Sequence, residues 1–250
     1  MMRTVMMRQG SMIQKELLGI ALVGMTILAT SCTSNVQAGS NPELAGNSAQ
    51  STNINNTQPA SNNTLVAAAP VRVGQRAPDF TAVDSNGKTH RLSDFKGKIV
   101  VLEWTNHQCP FVRKHYESGN MQKLQKQATT KGVVWLSVIS SAPGQQGNVS
   151  GTQANNLTKS RGAAPTAVLL DQEGKIGRLY DARTTPHMFV IASNGTLAYM
   201  GAIDSISSSN KADVGKAKNY VSSALDEVLK GQKVSTSATQ PYGCTVKYRS

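Results

Sequence analysis

Residues 73–104 read VGQRAPDFTAVDSNGKTHRLSDFKGKIVVLEW, and this stretch decides the fold. It ends in the continuous apolar run Ile99–Leu102, which is typical of a sheet strand covered on both faces. Upstream of that run, Asn86-Gly87 marks a tight turn between two short segments. The stretch therefore predicts a short hairpin that leads into the first strand of a buried sheet.

Further apolar runs continue this pattern along the chain. Ser193-Asn194-Gly195 separates two of them and predicts a second hairpin. The runs are Val133–Ile139, Ala167–Leu170, Met188–Ile191 and Leu197–Met200. Together they predict an α/β order of strand, helix, strand, helical insert, strand, hairpin and helix.

Two longer helices are predicted between and after these strands. The first begins at Pro110 and is expected to kink at Ser118-Gly119. The last carries an apolar stripe, is predicted to be capped by Asp213 and ends at Gly231.

The deciding stretch resembles the opening of AhpC/TSA-type redoxin domains. The resemblance rests on the lead GQRAPDF (74–80), the Asn86-Gly87 turn and the segment LSDFKGK (92–98), and it continues through Cys109-Pro110 and Thr185-Pro186. It implies a thioredoxin-like α/β fold with an N-terminal β-hairpin extension and a helical insert. This family includes peroxiredoxins and membrane-tethered thiol-disulfide oxidoreductases, so the resemblance also implies thiol chemistry.

Residues 1–38 predict an export signal. Arg3, Arg8 and Lys15 precede the apolar run Leu17–Ala29, which is shorter than the ~18 residues needed to span a bilayer. A basic segment followed by such a run is typical of a secretory signal, so we expect the protein to be exported.

The cleavage site of this signal has two readings. Ala29-Thr30-Ser31-Cys32 resembles a bacterial lipobox, whereas Val36-Gln37-Ala38 before Gly39 fits an ordinary signal-peptidase site. The lipobox lies nearer the apolar run, which favours acylation of Cys32. We therefore expect a lipoprotein that is anchored to the membrane on the periplasmic or cell-surface side.

The rest of the chain divides into a linker, a domain and a tail. Residues 39–70 are rich in Asn, Ser and Thr, and they lack the apolar residues that would offset the entropy of ordering them. Residues 71–235 form the predicted redoxin domain. Residues 236–250 form a C-terminal tail that carries Cys244.

The net charge of +12 (26 Lys+Arg against 14 Asp+Glu) is dispersed along the chain. Its densest spots are pairs such as Arg113-Lys114, with no basic run between aromatic residues. This pattern predicts a solvated basic surface and no nucleic-acid partner. The four His and three Cys lack metal-ligand spacing, so we expect no metal and no cofactor.

Cys109 is the predicted nucleophile. It follows a strand and precedes Pro110, a residue favoured at the first helical position, so Cys109 is expected to be the helix N-cap. Free backbone N–H groups and the positive end of the helix dipole would favour its thiolate, which attacks a disulfide or a peroxide. The alternative is an inert buried cysteine.

The loop before Cys109 departs from both family patterns. Thioredoxins carry Cys-x-x-Cys at this turn, but Asn106-His107-Gln108-Cys109 has no second cysteine nearby. Peroxiredoxins place Thr three residues before the reactive cysteine, where this chain has Asn106. The resemblance therefore implies the fold more firmly than the reaction.

Thr185-Pro186 matches the cis-proline loop that lies beside the reactive cysteine in thioredoxin-like proteins. The resemblance implies a cis bond, although only ~5% of X–Pro bonds are cis. The backbone of Thr185 would then pair with an extended substrate strand. The alternative is a proline that simply begins a strand.

Four further residues are candidates for the site. His107 and His187 are candidate proton carriers, since a nearby imidazolium would favour the thiolate; the alternative for each is a hydrogen-bonded surface histidine. Glu103 is either a buried proton acceptor or an exposed edge carboxylate. Trp104 is interpreted as a packing residue that shields the thiol and lines the substrate site.

Cys244 lies in the tail segment PYGCTVKY and has three interpretations. By resemblance to peroxiredoxins, it resolves oxidised Cys109 and supplies the partner that the local motif lacks. Alternatively, it forms a static structural disulfide with Cys109, or it never meets Cys109.

These features predict an exported redoxin that reacts with a peroxide or a protein disulfide and is recharged by a thiol electron donor. The alternative from another class is a non-catalytic thioredoxin-fold binding lipoprotein that has lost Cys-x-x-Cys. Rapid alkylation of Cys109 well below pH ~8 would distinguish the two, because it requires a stabilised thiolate.

Overall fold

The computed structural model describes residues 71–250. The predicted export signal, the linker and the acylation of Cys32 lie outside these residues. Within them, no helix combines the length and the apolar character needed to cross a membrane.

The described residues form five α-helices and nine short β-strands, with 3₁₀ turns at Leu92–Phe95 and Lys211–Asp213. The strands are β1 (Thr81–Val83), β2 (Thr89–Arg91), β3 (Val100–Trp104), β4 (Val134–Ile139), β5 (Ala167–Leu170), β6 (Thr184–Thr185), β7 (His187–Ile191), β8 (Leu197–Gly201) and β9 (Cys244–Thr245). The helices are α1 (Pro110–Glu117), α2 (Asn120–Thr130), α3 (Gly151–Ser160), α4 (Lys175–Leu179) and α5 (Tyr220–Leu229).

The central sheet has five strands in the order β5-β4-β3-β7-β8. Strands β3, β4 and β5 are parallel, and β7 and β8 continue the sheet in antiparallel pairing. Every residue of β3, β4 and β7 is buried, which explains their continuous apolar runs. Alternate residues of β3 therefore face two separate core clusters, Val101 in one and Leu102 in the other.

The predicted α/β thioredoxin-like fold is confirmed. The β1–β2 hairpin precedes the sheet, and α3 is the helical insert between β4 and β5. The expected kink at Ser118-Gly119 separates α1 from α2, since Gly119 has a positive φ of 76°. The second hairpin joins β7 to β8, as Asn194-Gly195 predicts.

One predicted helix boundary is wrong. Asp213 ends a 3₁₀ turn, and Asn219 caps α5 by accepting a hydrogen bond from the Ser222 backbone N–H (2.9 Å). Both residue types favour the N-cap position, so sequence alone did not separate them. The helix ends at Leu229, just before Gly231, as predicted.

Candidate active site

Cys109 is the N-cap of α1, directly after the loop that follows β3. Its carbonyl accepts the first helical hydrogen bond, from the Arg113 N–H (2.9 Å), and Pro110 is the first helical residue, as predicted. The side chain of Cys109 is 0% exposed. The thiol therefore lies at the N-terminal end of α1 and is shielded from water.

The loop before Cys109 is braced by a second loop. The Asn106 side chain accepts from the Gln108 N–H (2.9 Å) and donates to the carbonyl of Gln146 (3.1 Å). The Gln108 side chain in turn accepts from the Gly147 N–H (3.1 Å). Asn106, which replaces the threonine of peroxiredoxins, thus holds the backbone in place.

The cis-proline loop contacts the cysteine. The Thr185–Pro186 bond is cis, as the resemblance implies, and the Cys109 Sγ donates to the Thr185 carbonyl (3.1 Å). Thr185 and Pro186 are both buried. The loop that was expected to bind a substrate strand therefore lies directly against the thiol.

The edge of this loop is paired with the protein's own tail. Strand β9 runs antiparallel to β6, with Cys244 opposite Thr185 and Thr245 opposite Thr184. Burial, together with the Cys109 thiol beside it, raises the pKa of the Cys244 thiol to about 12. Both cysteines are free thiols in this structure. The structure therefore places the two thiols at one strand edge, 135 residues apart in the chain.

Glu103 lies inside the protein and is not an edge carboxylate. It is 0% exposed and accepts hydrogen bonds from four side chains. These donors are Tyr116 (2.8 Å), Gln125 (3.1 Å), Trp135 (2.8 Å) and Ser137 (2.9 Å). Burial raises the pKa of Glu103, although the four donors oppose this shift. The exposed-edge alternative is therefore wrong, and the role of Glu103 as a proton acceptor stays a prediction.

The two histidines do not supply the imidazolium that the sequence suggested. Burial and then the charge of Arg161 lower the pKa of His107, and burial lowers the pKa of His187 to about 4. Both rings are therefore neutral near pH ~7. His187 packs on Phe189 with ring centroids 4.5 Å apart. The expected electrostatic role of these histidines is wrong because their surroundings disfavour the charged form.

This burial predicts an acid sensitivity that His187→Gln should reduce. An unfolded histidine takes up a proton below pH ~6.5, whereas folded His187 does so only near 4, so stability falls as the pH drops through this window. Between pH ~7.5 and ~5, this residue should account for about 2 kcal/mol of lost unfolding free energy. Urea unfolding at both pH values measures the loss. Equal losses in the variant and the wild type would contradict the prediction.

Trp104 belongs to the core and does not line the substrate site. It is 0% exposed, and its ring packs on those of Tyr180 and Phe189, with centroids 5.7 and 5.1 Å away. Its indole N–H donates to Ser140 Oγ (3.0 Å). Trp104 faces the core cluster on the side of the sheet opposite to that of Cys109, because it alternates with Glu103 along β3.

Sequence analysis missed a buried polar cluster, Lys114, His115, Asp204 and Tyr242, which we call the anchor cluster. Lys114 Nζ lies 3.3 Å from Asp204 Oδ2, and neither side chain is more than 2% exposed. The Tyr242 hydroxyl donates to Asp204 Oδ1 and lies 3.3 Å from His115 Nε2. The assignment of Lys114 to a solvated basic surface is therefore wrong. The signal for the anchor cluster in the sequence is the position of Tyr242, which lies two residues before Cys244.

Metal binding has no support among residues 71–250. No group of His, Cys, Asp and Glu in this part of the chain has the arrangement of a metal site.

Comparison with known proteins identifies the family. The sequence profile described as the AhpC/TSA family matches residues 73–200, which is just over half of the chain. The chain belongs to the AhpC/TSA family. The thiol-disulfide oxidoreductase ResA of Geobacillus kaustophilus is 27% identical to this AhpC/TSA protein over 132 residues. That match covers 50% of this chain and 66% of ResA, just under two thirds of the relative's length.

Two solved structures support the fold of this AhpC/TSA protein. An uncharacterized conserved protein from Geobacillus kaustophilus aligns with a TM-score of 0.62 and 25% identity, over 71% of this chain and 93% of that protein. A hypothetical protein from Sinorhizobium meliloti 1021 aligns with a TM-score of 0.59 and 23% identity, over 73% and 97%.

Proposed function

We propose that this protein is a thiol-disulfide oxidoreductase whose redox pair is Cys109 and Cys244. The observation that carries the proposal is their common contact with Thr185, which accepts a hydrogen bond from the Cys109 thiol and pairs with Cys244. The tail thus supplies the second thiol that the turn at Cys109 lacks. The name of the ResA relative supports the same reaction.

The proposed cycle uses two thiol exchanges. The Cys109 thiolate attacks a substrate disulfide, so that one substrate thiolate leaves and Cys109 carries the other half as a mixed disulfide. Cys244 loses its proton and attacks Cys109 Sγ, which releases the second substrate thiol and leaves a Cys109–Cys244 disulfide. An external thiol donor reduces this bridge by two further exchanges, and the donor is oxidised to its disulfide.

A disulfide substrate is favoured over a peroxide by the loop before Cys109. The side chain that replaces the peroxiredoxin threonine is the amide of Asn106, and its hydrogen bonds go to backbone groups of its own and a neighbouring loop. The loop therefore presents no hydroxyl at this position to a bound peroxide. The experiment at the end of this section compares the rates with a disulfide and with hydrogen peroxide.

Glu103 is the proposed proton store of the site. Its raised pKa lets it keep a proton at a higher pH than an exposed glutamate would. It lies on the face of β3 that packs against α1 and α2, through Tyr116 and Gln125. This is the same face of the sheet on which Cys109 is buried.

The proposed place of action is outside the cytoplasm. The apolar run at residues 17–29 and the lipobox-like Cys32 support export and a lipid anchor. A linker over residues 39–70 would let the domain reach substrates at some distance from the membrane. The exported compartment supplies the disulfides on which a redox-active pair would act.

Treatment of the reduced protein with one equivalent of a model disulfide tests this proposal. The expected product is a Cys109–Cys244 bridge, identified by peptide-mapping mass spectrometry and reversed by a thiol donor. Its reduction potential, measured against glutathione, should lie above about −300 mV, because a static structural bridge lies below that value. Failure to form the bridge would contradict the proposal. If the reduced protein reacts faster with hydrogen peroxide than with the disulfide, the disulfide assignment is wrong and the substrate is a peroxide.

A further inference from the structure

The tail segment Tyr242–Tyr248, which we call the strap, occupies the strand edge beside Cys109. Its residues Cys244 and Thr245 form β9 and use the backbone edge of β6 that precedes Pro186. Tyr242 and Cys244 pack against the apolar cluster that contains Cys109. The strap therefore lies where an external extended segment would have to pair.

The strap is held on its N-terminal side by the anchor cluster. The Tyr242 hydroxyl donates to Asp204, and its ring packs edge-on against Phe111, with centroids 5.9 Å apart. Phe111 lies on the first turn of α1, two residues after Cys109. The helix that carries the nucleophile thus also holds the strap.

A separate set of contacts holds the strap on its C-terminal side. The Val246 N–H donates to the carbonyl of Arg183 (3.0 Å), and the Lys247 carbonyl accepts from Ala142 (2.8 Å). The Tyr248 hydroxyl donates to the carbonyl of Ala182 (2.7 Å). Cys244 is therefore fixed from both sides without a covalent bond.

Gly243 is the point of closest approach between the strap and the cis-proline loop. It has a φ of +134°, and a Cβ at this position would lie 2.1 Å from the Thr185 carbonyl oxygen. Because that contact is with backbone, a larger residue cannot be accommodated by rotation of a side chain. Only glycine lets the strap reach β6.

We infer that the strap is a built-in competitor of the substrate strand: a polypeptide disulfide reaches Cys109 only after the strap leaves β6, and the returning strap displaces it. This inference rests on the proposed function and adds a substrate class, extended polypeptide segments, together with the device that admits and expels them. An open backbone edge recognises such segments by main-chain hydrogen bonds.

The competition links resolution to product release. While Cys109 holds the mixed disulfide, the substrate strand occupies β6. When the strap returns, the Cys244 thiolate attacks Cys109 Sγ, the Cys109–substrate bond breaks and the substrate leaves as a thiolate that takes up a proton. Formation of β9 and loss of the substrate strand therefore belong to one step.

Gly243→Ala tests the strap directly. The added methyl group should push the strap off β6 and increase the rate of Cys109 alkylation by iodoacetamide by more than about tenfold, because local opening limits access to a buried thiol. Peptide-mapping mass spectrometry reads Cys109 separately from the other cysteines. The matched control is Gly231→Ala, where φ is +70° and no atom lies within 4 Å of the added Cβ. An unchanged Cys109 rate in folded Gly243→Ala would overturn the inference.

A milder variant covers the case in which Gly243→Ala does not fold. Tyr248→Phe removes only the hydrogen bond to Ala182 and should increase Cys109 alkylation about threefold or more, since a net hydrogen bond contributes ~1 kcal/mol. Tyr220→Phe, on α5, is the control for loss of a tyrosine hydroxyl and should leave the rate unchanged. Equal rates in the two variants would overturn the inference.

Competition for the strand edge has a second readout. Cys109 should be treated with an extended decapeptide that carries a pyridyl disulfide and, separately, with the pyridyl disulfide of cysteine alone; each reaction releases thiopyridone. Gly243→Ala should increase the rate with the peptide about tenfold more than the rate with cysteine. If both rates rise equally, the strap is a simple cover and competition is refuted. These measurements do not involve Cys244 turnover, so their failure is separable from failure of the proposed function.

Discussion

Cys109→Ser is expected to lower the single-turnover rate of disulfide reduction by at least about a thousandfold, because removal of a nucleophile eliminates the covalent step. The hydroxyl of serine occupies the same helix N-cap but does not form a thiolate. The reaction should be followed with excess peptide disulfide and mass spectrometry, so that no electron donor is needed. Full activity in Cys109→Ser would refute the catalytic assignment and favour the non-catalytic binding protein.

Two companion variants define the roles of the other cysteines. Cys244→Ser should complete the first exchange and then stop, so that the mixed disulfide on Cys109 accumulates. Cys32→Ser, assayed as purified protein, is the matched control for loss of a cysteine and should react like the wild type. If Cys244→Ser instead releases both substrate thiols, Cys244 is not the resolving thiol.

Lys114→Met is expected to lower the free energy of unfolding by about 3–5 kcal/mol, because it leaves the carboxylate of Asp204 buried without its cation. The change keeps the length of the side chain and its apolar stem, so the loss reports the charge rather than a cavity. Chemical denaturation near pH ~7 measures the effect.

An exposed ion pair provides the control for this variant. Lys131 lies 3.5 Å from Asp226, and both side chains are more than half exposed. Lys131→Met should therefore change stability by less than about 1 kcal/mol. Similar losses in the two variants would mean that burial does not govern the contribution of Lys114.

The fold was predictable because the patterns that specify it are local. The apolar runs that became β3 and β4, the break at Ser118-Gly119 and the hairpin at Asn194-Gly195 all occur within a few residues. Such patterns set which residues can be buried and where the chain can turn, and they can be recognised without knowledge of distant contacts. The N-cap position of Cys109 followed from the same local rules.

The site was only partly predictable because its chemistry depends on burial. Sequence placed Glu103, His107 and His187 near the thiol, but it did not specify how much water each side chain retains. Burial lowers the pKa values of His107 and His187, so both rings are neutral and lack the positive charge expected of them. Burial also raises the pKa of Glu103. The burial of Lys114 was likewise not predicted, because a lysine is rarely buried without a partner and its partner, Asp204, is distant in the chain.

By itself, the sequence determined a thioredoxin-like α/β domain and placed Cys109 at the start of a helix. Only the tertiary structure decided that Cys244 returns to pair with Thr185 beside that cysteine. The physical reason is the range of the interactions. Strand and helix patterns repeat over two to four residues. The strap, in contrast, is positioned by contacts with distant segments: Tyr242 with Asp204, Gly243 with Thr185 and Tyr248 with Ala182.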